Sequence, residues 1–339
     1  LLQAQDVPFL RDWGLEVHLR DLHRIVTSAR ENAPNLVLGG HSLGASLVSF
    51  YAAFDLGEDA SPRYGYEYLD GLVLLDGGLG RTGGYGREDV GVSFGPIRFA
   101  PSVRELAEGR GTPYVDSIIS PAYQIEREVI AVHAALRPDE PAPEGLSHLP
   151  ITNRALLGVR NDDEYGPVPI FNASLGQAEN AEFDGNLGAV ILSGREGLRS
   201  RSVVGVAPGA DLITWAPGDP QRERTDLDTF IRAWTLEETN FAEWYFPLRL
   251  ALDMTLLTLD LEDTPGFIPN RLVPVPTLSI GASRGLVTSL DGMRSYANVR
   301  YGSAFTGYVL PGMTHLDILL ARNNPAVPIL QRWMRFFAE

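Results

Sequence analysis

The first 76 residues alternate between segments of helical periodicity and short apolar runs. Between residues 15 and 30 apolar side chains recur every three or four positions, which predicts an amphipathic helix that ends before Pro34. Residues 35–40 and 71–76 are mostly apolar runs bounded by proline or glycine, as is typical of strands buried on both faces. A helix of small residues is predicted between them, from residue 44 to about residue 54. This order of strand, helix and strand predicts a parallel α/β sheet.

The pattern changes after residue 76, where glycine, proline and loop-like segments become frequent. Helices are predicted at residues 103–106 and 123–136, and the aromatic-rich stretch 230–246 precedes a leucine-rich segment. A stretch of this length is too long for a loop and predicts an inserted, mainly helical domain. The α/β pattern then resumes with the following predicted elements: a strand at 274–281, a helix at 289–299, a strand at 304–310, a turn at 311–315 and a closing helix at 325–337.

Composition and charge exclude several classes of protein. The chain has 28 Lys and Arg against 43 Asp and Glu, a formal net charge of -15, so nucleic acid is not an expected partner. The absence of cysteine excludes disulfides, thiolate metal sites and a cysteine nucleophile, and leaves the cellular location open. No apolar run reaches the roughly 18 residues of a transmembrane helix. The sequence has no metal-ligand cluster, nucleotide fingerprint or prosthetic-group motif, so neither a metal nor a cofactor is expected.

One motif carries chemistry: Gly40-His41-Ser42-Leu43-Gly44 fits G-x-S-x-G and lies between a predicted strand and a predicted helix. A serine there occupies a sharp, strained turn, which the two glycines make sterically possible, and its hydroxyl projects beyond the sheet edge. The helix that follows directs its N-terminal N–H groups at a developing oxyanion, and the N–H of Leu43 is one such donor. His41 is expected to point away from the reacting atoms and to pack nearby.

With this motif the chain resembles the α/β-hydrolase family at both ends of its sequence. The resemblance implies a mostly parallel sheet with helices on both faces, whose two core parts, residues 1–76 and 272–339, flank a large cap at residues 77–271. It also implies the chain order nucleophile, acid, histidine, and His315, after the last predicted strand, matches the place of the histidine. Family members carry further strands before the nucleophile strand, so we expect an N-terminal segment or a separate chain to complete the core.

The acid is where this sequence departs from the commonest family pattern. Arg284 stands at the position that usually holds an aspartate, and a guanidinium cannot accept the imidazole N–H. The family's second solution is an acid at the end of the strand that follows the nucleophile helix, and Asp76 stands there. Because adjacent parallel strands end side by side, Asp76 and Ser42 can flank one site. We therefore predict Asp76 as the acid, with Asp291 as its main rival.

The leading hypothesis is a serine hydrolase that cleaves carboxylic esters through an acyl-enzyme. In this hypothesis Ser42 attacks, His315 transfers the proton and Asp76 holds the imidazole. The aromatic stretch 230–246 suggests a small-molecule ester with an apolar acyl or aromatic group, although these side chains could equally form the core of the cap. Amide or lactone hydrolysis and acyl transfer use the same residues. A binding protein that kept the pocket without catalysis is the alternative of another class.

Overall fold

The computed structural model describes residues 2–57, 61–78, 91–94, 97–102, 105, 108, 110–116, 120–166, 172–184, 201–219, 222–235, 245–258, 273–291 and 305–337. Its strands are β1 (Val37–His41), β2 (Gly71–Leu75), β3 (Gly91–Phe94), β4 (Ile97–Ser102), β5 (Gln177–Glu179), β6 (Ala181–Asp184), β7 (Ser202–Val206), β8 (Thr214–Ala216), β9 (Thr277–Arg284) and β10 (Phe305–Thr314). Its α-helices are α1 (Leu15–Asn32), α2 (Leu43–Ala53), α3 (Pro121–Leu136), α4 (Asn153–Asn161), α5 (Leu227–Thr235), α6 (Leu248–Thr258), α7 (Asp317–Leu320) and α8 (Ala326–Met334). Short 3₁₀ helices span Pro8–Arg11, Gly65–Tyr68 and Arg335–Phe337.

A parallel sheet with the strand order β1-β2-β9-β10 forms the centre of the fold. Leu72 pairs with both Leu38 of β1 and Thr277 of β9, so the four strands run in register from the same starting edge. Their carboxyl ends therefore meet at one edge, the place where ligands bind in open α/β sheets. The predicted parallel α/β architecture is confirmed. Within the described residues β1 borders the sheet, and the further strands expected beside it stay a prediction.

Helices cover both faces of this sheet because alternate residues of each strand point to opposite sides. Leu72 and Leu74 of β2 are fully buried in one hydrophobic cluster with residues of α1 and α2. Val73, between them, packs in another cluster, which Ile318 of α7 and Ala326 of α8 share. The apolar run of β2 is therefore a strand buried on both faces, as predicted. The same prediction is wrong for β1, whose residues are half-buried apart from the exposed Gly39, because β1 borders the sheet within the described residues.

The intervening segment, residues 77–271, contains helices as predicted and also strands that were not predicted. Helices α3, α4 and α5 share a hydrophobic cluster that includes the fully buried Ile130, Leu157 and Phe230. The pairs β3/β4, β5/β8 and β6/β7 form two-stranded antiparallel sheets. Their strands of three to six residues include glycine and charged residues, and so lack the apolar alternation that identifies a strand. No finding tests the predicted boundaries of this segment, which stay predictions.

Several element boundaries differ from those predicted. Helix α6, in the predicted insertion, contributes Leu250 and Met254 to the same hydrophobic cluster as α1 and α2. The predicted turn at 311–315 is wrong, because β10 continues to Thr314 through a register shift at Pro311 to Met313, where Gly312 has a φ of 70°. A bulge of this kind lets a strand continue through residues that look like a turn in the sequence. Most of the predicted helix at 103–106 and most of the one at 289–299 lie outside the described residues.

Among the described residues, no helix combines the length and apolar character that crossing a bilayer requires.

Candidate catalytic site

Ser42 occupies a strained turn between β1 and α2. Its φ of 55° and ψ of -118° lie in a sparsely populated region for a residue with a side chain. Such a backbone typically costs about 1–3 kcal/mol and persists only where the surroundings fix it. Here the Ser42 N–H donates to the carbonyl of Leu75 at the end of β2, with an N···O distance of 2.9 Å. The turn therefore brings Ser42 to the carboxyl edge of the sheet, beside the residue that follows β2.

Two glycines allow this turn to pack, and only one of them is in the predicted pair. A Cβ at Gly40 would overlap the backbone carbonyl group of Gly44, and a Cβ at Gly77 would overlap the carbonyl of Ser42. A Cβ at Gly44 would meet no atom within 4 Å. The expectation that both Gly40 and Gly44 are sterically required is therefore wrong for Gly44, because α2 leaves open space there. Gly77 was missed, since its role depends on a contact between β2 and the serine turn.

Asp76 and His315 form a buried hydrogen-bonded pair at the same edge. His315 Nδ1 lies 2.6 Å from Asp76 Oδ2, and the two side chains are 2% and 0% exposed. A carboxylate can only accept, so Nδ1 carries the proton and Nε2 of a neutral His315 is left as a proton acceptor. Asp76 itself has a positive φ of 40°, a conformation that aspartate tolerates better than most residues. The two residues that the sequence analysis assigned as acid and histidine are thus in direct contact.

Backbone N–H groups from the end of β9 and from the loop after it surround the Asp76 carboxylate. Ala282 N and Val287 N lie 3.0 and 2.9 Å from Oδ1, and Leu286 N lies 2.8 Å from Oδ2. Burial pushes the pKa of Asp76 upward, but the hydrogen bond and charge of His315 and the N–H groups of Leu286 and Val287 outweigh it, and the pKa is lowered. Asp76 therefore stays ionised as an acceptor.

The loop that supplies these donors is the one in which the commonest family pattern would place the acid. A Cβ at Gly285 would overlap Asp76 Oδ2, so only glycine lets the loop approach this closely. Arg284 pairs instead with the buried Asp163 of the intervening segment. Burial lowers the pKa of Arg284, and the charges of Asp162 and Asp317 oppose that effect. Asp291, the predicted rival acid, is exposed, whereas His315 is buried.

His41 packs against the ring of His315, which agrees with the packing role expected for a residue beside the nucleophile. The two ring centroids are 4.3 Å apart with an interplanar angle of 31°, and His41 Nε2 lies 3.0 Å from the carbonyl oxygen of His315. A carbonyl can only accept, so Nε2 of His41 donates. Burial and the charge of His315 lower the pKa of His41 to about 4, against weaker opposing effects of the hydrogen bond to His315 and of Asp76. A neutral imidazole therefore covers one face of the His315 ring.

The N-terminus of α2 lies beside Ser42, since Leu43 is the first residue of that helix. The first N–H groups of a helix have no acceptor within the helix and carry the positive end of its dipole. The N–H of Leu43 is therefore placed to donate to an anion that forms next to Ser42.

No group of three or more His, Asp or Glu side chains in the described part of the chain has the arrangement of a metal site. The acidic side chains of residues 162–163 make contacts within the protein. Asp162 accepts from the N–H groups of Glu164 and Leu175 at 2.8 Å each, and Asp163 pairs with Arg284. Burial raises the pKa of Asp162 well above its ordinary value, against the effect of these N–H groups.

Three solved structures of other proteins are similar to this chain to different degrees. A protein from Sulfolobus solfataricus assigned as a lipase superposes with a TM-score of 0.50 at 15% identity, over 99% of this chain and 69% of that chain. An esterase from Thermogutta terrifontis superposes with a TM-score of 0.36 at 14% identity, over 95% of this chain and 72% of its own. The CarC serine hydrolase, which is involved in carbazole degradation, superposes with a TM-score of 0.36 at 12% identity, over 96% of this chain and 72% of its own. No protein-family model matches the sequence, and no curated protein matches it at a significant level. The superposition on the Sulfolobus protein and the parallel sheet with helices on both faces show that this chain has an α/β-hydrolase fold.

Proposed function

We propose that this protein is a serine hydrolase that cleaves carboxylic esters through an acyl-enzyme intermediate. The observation that carries the proposal is the buried contact of 2.6 Å between His315 Nδ1 and Asp76 Oδ2, at the sheet edge where Ser42 occupies its strained turn. A serine hydroxyl is activated by a histidine whose Nε2 carries no proton, and that histidine is held by an ionised carboxylate that is shielded from solvent. The lipase assignment of the Sulfolobus protein with the same fold agrees with this chemistry.

The first half of the proposed reaction forms the acyl-enzyme. Ser42 Oγ attacks the ester carbonyl carbon while its proton passes to His315 Nε2. The carbonyl oxygen becomes an oxyanion, which the N–H of Leu43 stabilises together with the dipole of α2. The tetrahedral intermediate then collapses, and the alcohol leaves with the proton that His315 had taken. Asp76 remains ionised throughout and stabilises the imidazolium.

The second half of the proposed reaction hydrolyses the acyl-enzyme, with water as the nucleophile and Ser42 Oγ as the leaving group. Water attacks the acyl carbon of the Ser42 ester as His315 Nε2 takes its proton. Collapse of the second tetrahedral intermediate returns that proton to Ser42 Oγ and frees the carboxylic acid. We further propose that the intervening segment, residues 77–271, borders the substrate pocket, because Asp163 pairs with Arg284 next to the acid loop. Phe230 lies in the segment's own core, so the preference for an apolar or aromatic ester depends on other side chains.

Turnover of p-nitrophenyl esters of increasing acyl length tests this proposal. We expect wild-type protein to hydrolyse at least one member of the panel, with an initial burst of p-nitrophenol where deacylation is slow. Ser42→Ala should lose about 10⁴-fold or more in kcat. Ser46→Ala is the matched control, because it removes a hydroxyl one helical turn away and should hydrolyse the same esters at the wild-type rate.

The same panel extended to lactones, anilides and alcohol acceptors separates ester hydrolysis from the other reactions of this triad. Preferred turnover of an amide or lactone, or transfer of the acyl group to an added alcohol, would overturn the ester assignment. Binding of an ester without turnover in both wild type and Ser42→Ala would instead favour the non-catalytic binding protein.

A further inference from the structure

We propose that Asp317 is a positioning residue for His315 and ties the histidine loop to the intervening segment; this inference rests on the proposed function. Its side chain, two residues after His315, is fully buried. Oδ1 accepts from Ser174 N at 3.1 Å and from Thr225 Oγ1 at 2.7 Å. Oδ2 accepts from Ser174 Oγ at 2.7 Å and from Thr314 N at 3.0 Å. A carboxylate has about four lone-pair positions, and all of them are used here.

A second set of bonds joins the same segments through their backbones. The carbonyl of Asn172 accepts from Thr314 Oγ1 at 2.9 Å and from Leu316 N at 3.1 Å, one residue on either side of His315. Farther along, Arg322 N donates to the carbonyl of Arg224 at 2.7 Å. The histidine loop is therefore held between two stretches that are more than 90 residues away in sequence, at 172–174 and 224–225.

The position of His315 depends on these bonds because, among the described residues, no strand pairing extends to His315. The last pair of β10 with β9 is Thr314 with Arg284, beyond a register shift, and His315 follows directly. Asp76 fixes the imidazole at Nδ1, but the direction of Nε2 also depends on where the backbone of His315 lies. A displacement of about 1 Å at a reacting group can cost about 10²-fold in rate. Asp317 thus links the docking of the intervening segment to the geometry of proton transfer.

The substitution Asp317→Asn is the sharpest test, because it keeps the size of the side chain and replaces two of the four acceptor positions with an NH₂ group. In either orientation that group faces a backbone N–H, of Ser174 or of Thr314, and one buried donor is left without an acceptor. We expect Asp317→Asn to lower kcat for the best ester about 10–100-fold, with KM changed less than about threefold. The second-order rate of fluorophosphonate labelling of Ser42 should fall by the same factor.

The control is Asp228→Asn, which removes the same charge from an exposed aspartate of α5 that pairs with Arg154. It should keep the wild-type kcat and labelling rate. Thr225→Val, which removes one of the four donors without changing volume, provides a milder variant if Asp317→Asn does not fold. It should show a smaller fall in kcat with a circular dichroism spectrum like that of wild type.

A proton NMR measurement separates this inference from the proposed function. The downfield resonance of the His315 Nδ1–H, identified by its absence in His315→Gln, should broaden or shift in folded Asp317→Asn and remain in Asp228→Asn. If wild type neither hydrolyses esters nor reacts with the fluorophosphonate, the proposed function fails, and this resonance still decides the role of Asp317. Folded Asp317→Asn with an unchanged resonance would overturn the inference, as would unchanged kcat and labelling in an active protein.

Discussion

The two sides of the candidate site are built in different ways. The nucleophile side is one contiguous stretch, from Gly40 to Leu43, whose strained turn is fixed by close packing of backbone on backbone. The acid and histidine side joins residues that are 239 positions apart, Asp76 and His315, inside a shell of hydrogen bonds from a third segment, 282–287. Steric fit controls the first side, whereas a buried charge and its donors control the second. The two sides should therefore respond to different substitutions.

The largest effect is expected from removing the charge on the second side. Asp76→Asn keeps the size of the side chain but directs an NH₂ group or a neutral oxygen at His315 Nδ1, so the imidazole loses its orientation and its tautomer. A loss of about 10⁴-fold in kcat is expected from the equivalent change in other triads. Steady-state ester hydrolysis measures it, with Asp291→Asn as the matched control because Asp291 is exposed. Full activity in Asp76→Asn, or an equal loss in Asp291→Asn, would contradict the assignment of the acid.

A smaller effect is expected from steric changes on the first side. In Gly40→Ala the new methyl group would overlap the Gly44 carbonyl, so the serine turn must shift. A shift of about 1 Å at Ser42 predicts a loss on the order of 10²-fold in kcat. Gly44→Ala introduces the same methyl group into open space and should remain active. Measuring kcat and KM for both variants distinguishes the two glycines. Equal losses of kcat in Gly40→Ala and Gly44→Ala would contradict the prediction that packing requires glycine at position 40 and not at position 44.

The smallest effect is a change in the pH dependence of stability where the two sides meet, at His41. Because the pKa of His41 in the folded protein is about 4, below the ordinary value of 6.5, the unfolded chain binds more protons between these values. The free energy of unfolding should therefore fall as the pH decreases from about 6.5 to about 4. His41→Phe keeps an aromatic ring beside His315 and removes this titration. Urea unfolding across this range should give a shallower pH dependence in the variant; identical slopes would contradict the buried, neutral state of His41.

The parts of the site that the sequence predicts are those that a local pattern or a chain order encodes. The apolar runs and the glycine-bounded serine place β1, β2 and α2 within a few residues of their observed bounds. The side-by-side ends of parallel strands bring Ser42 and Asp76 together, as expected from the sheet. Arg284 in the usual acid position left Asp76 as the predicted acid, and His315 contacts Asp76 at 2.6 Å.

The parts that the sequence does not predict depend on backbone groups and on contacts between distant segments. The N–H donors of Ala282, Leu286 and Val287 have no side-chain signature, because any residue supplies a backbone N–H. The only signal in that loop is Gly285, whose close approach to Asp76 becomes visible in three dimensions. The pairing of Arg284 with Asp163 and the bulge in β10 likewise depend on tertiary packing, which overrides local propensity.

In the proposed mechanism His315, held by Asp76, activates Ser42 as a nucleophile. Labelling with a fluorophosphonate, followed by peptide mass spectrometry and by the rate of adduct formation, tests it most directly. We expect a single adduct on Ser42 in wild type and slowing of about 10³-fold or more in folded His315→Gln. An adduct on another residue, or labelling of Ser42 at the same rate in both proteins, would contradict it.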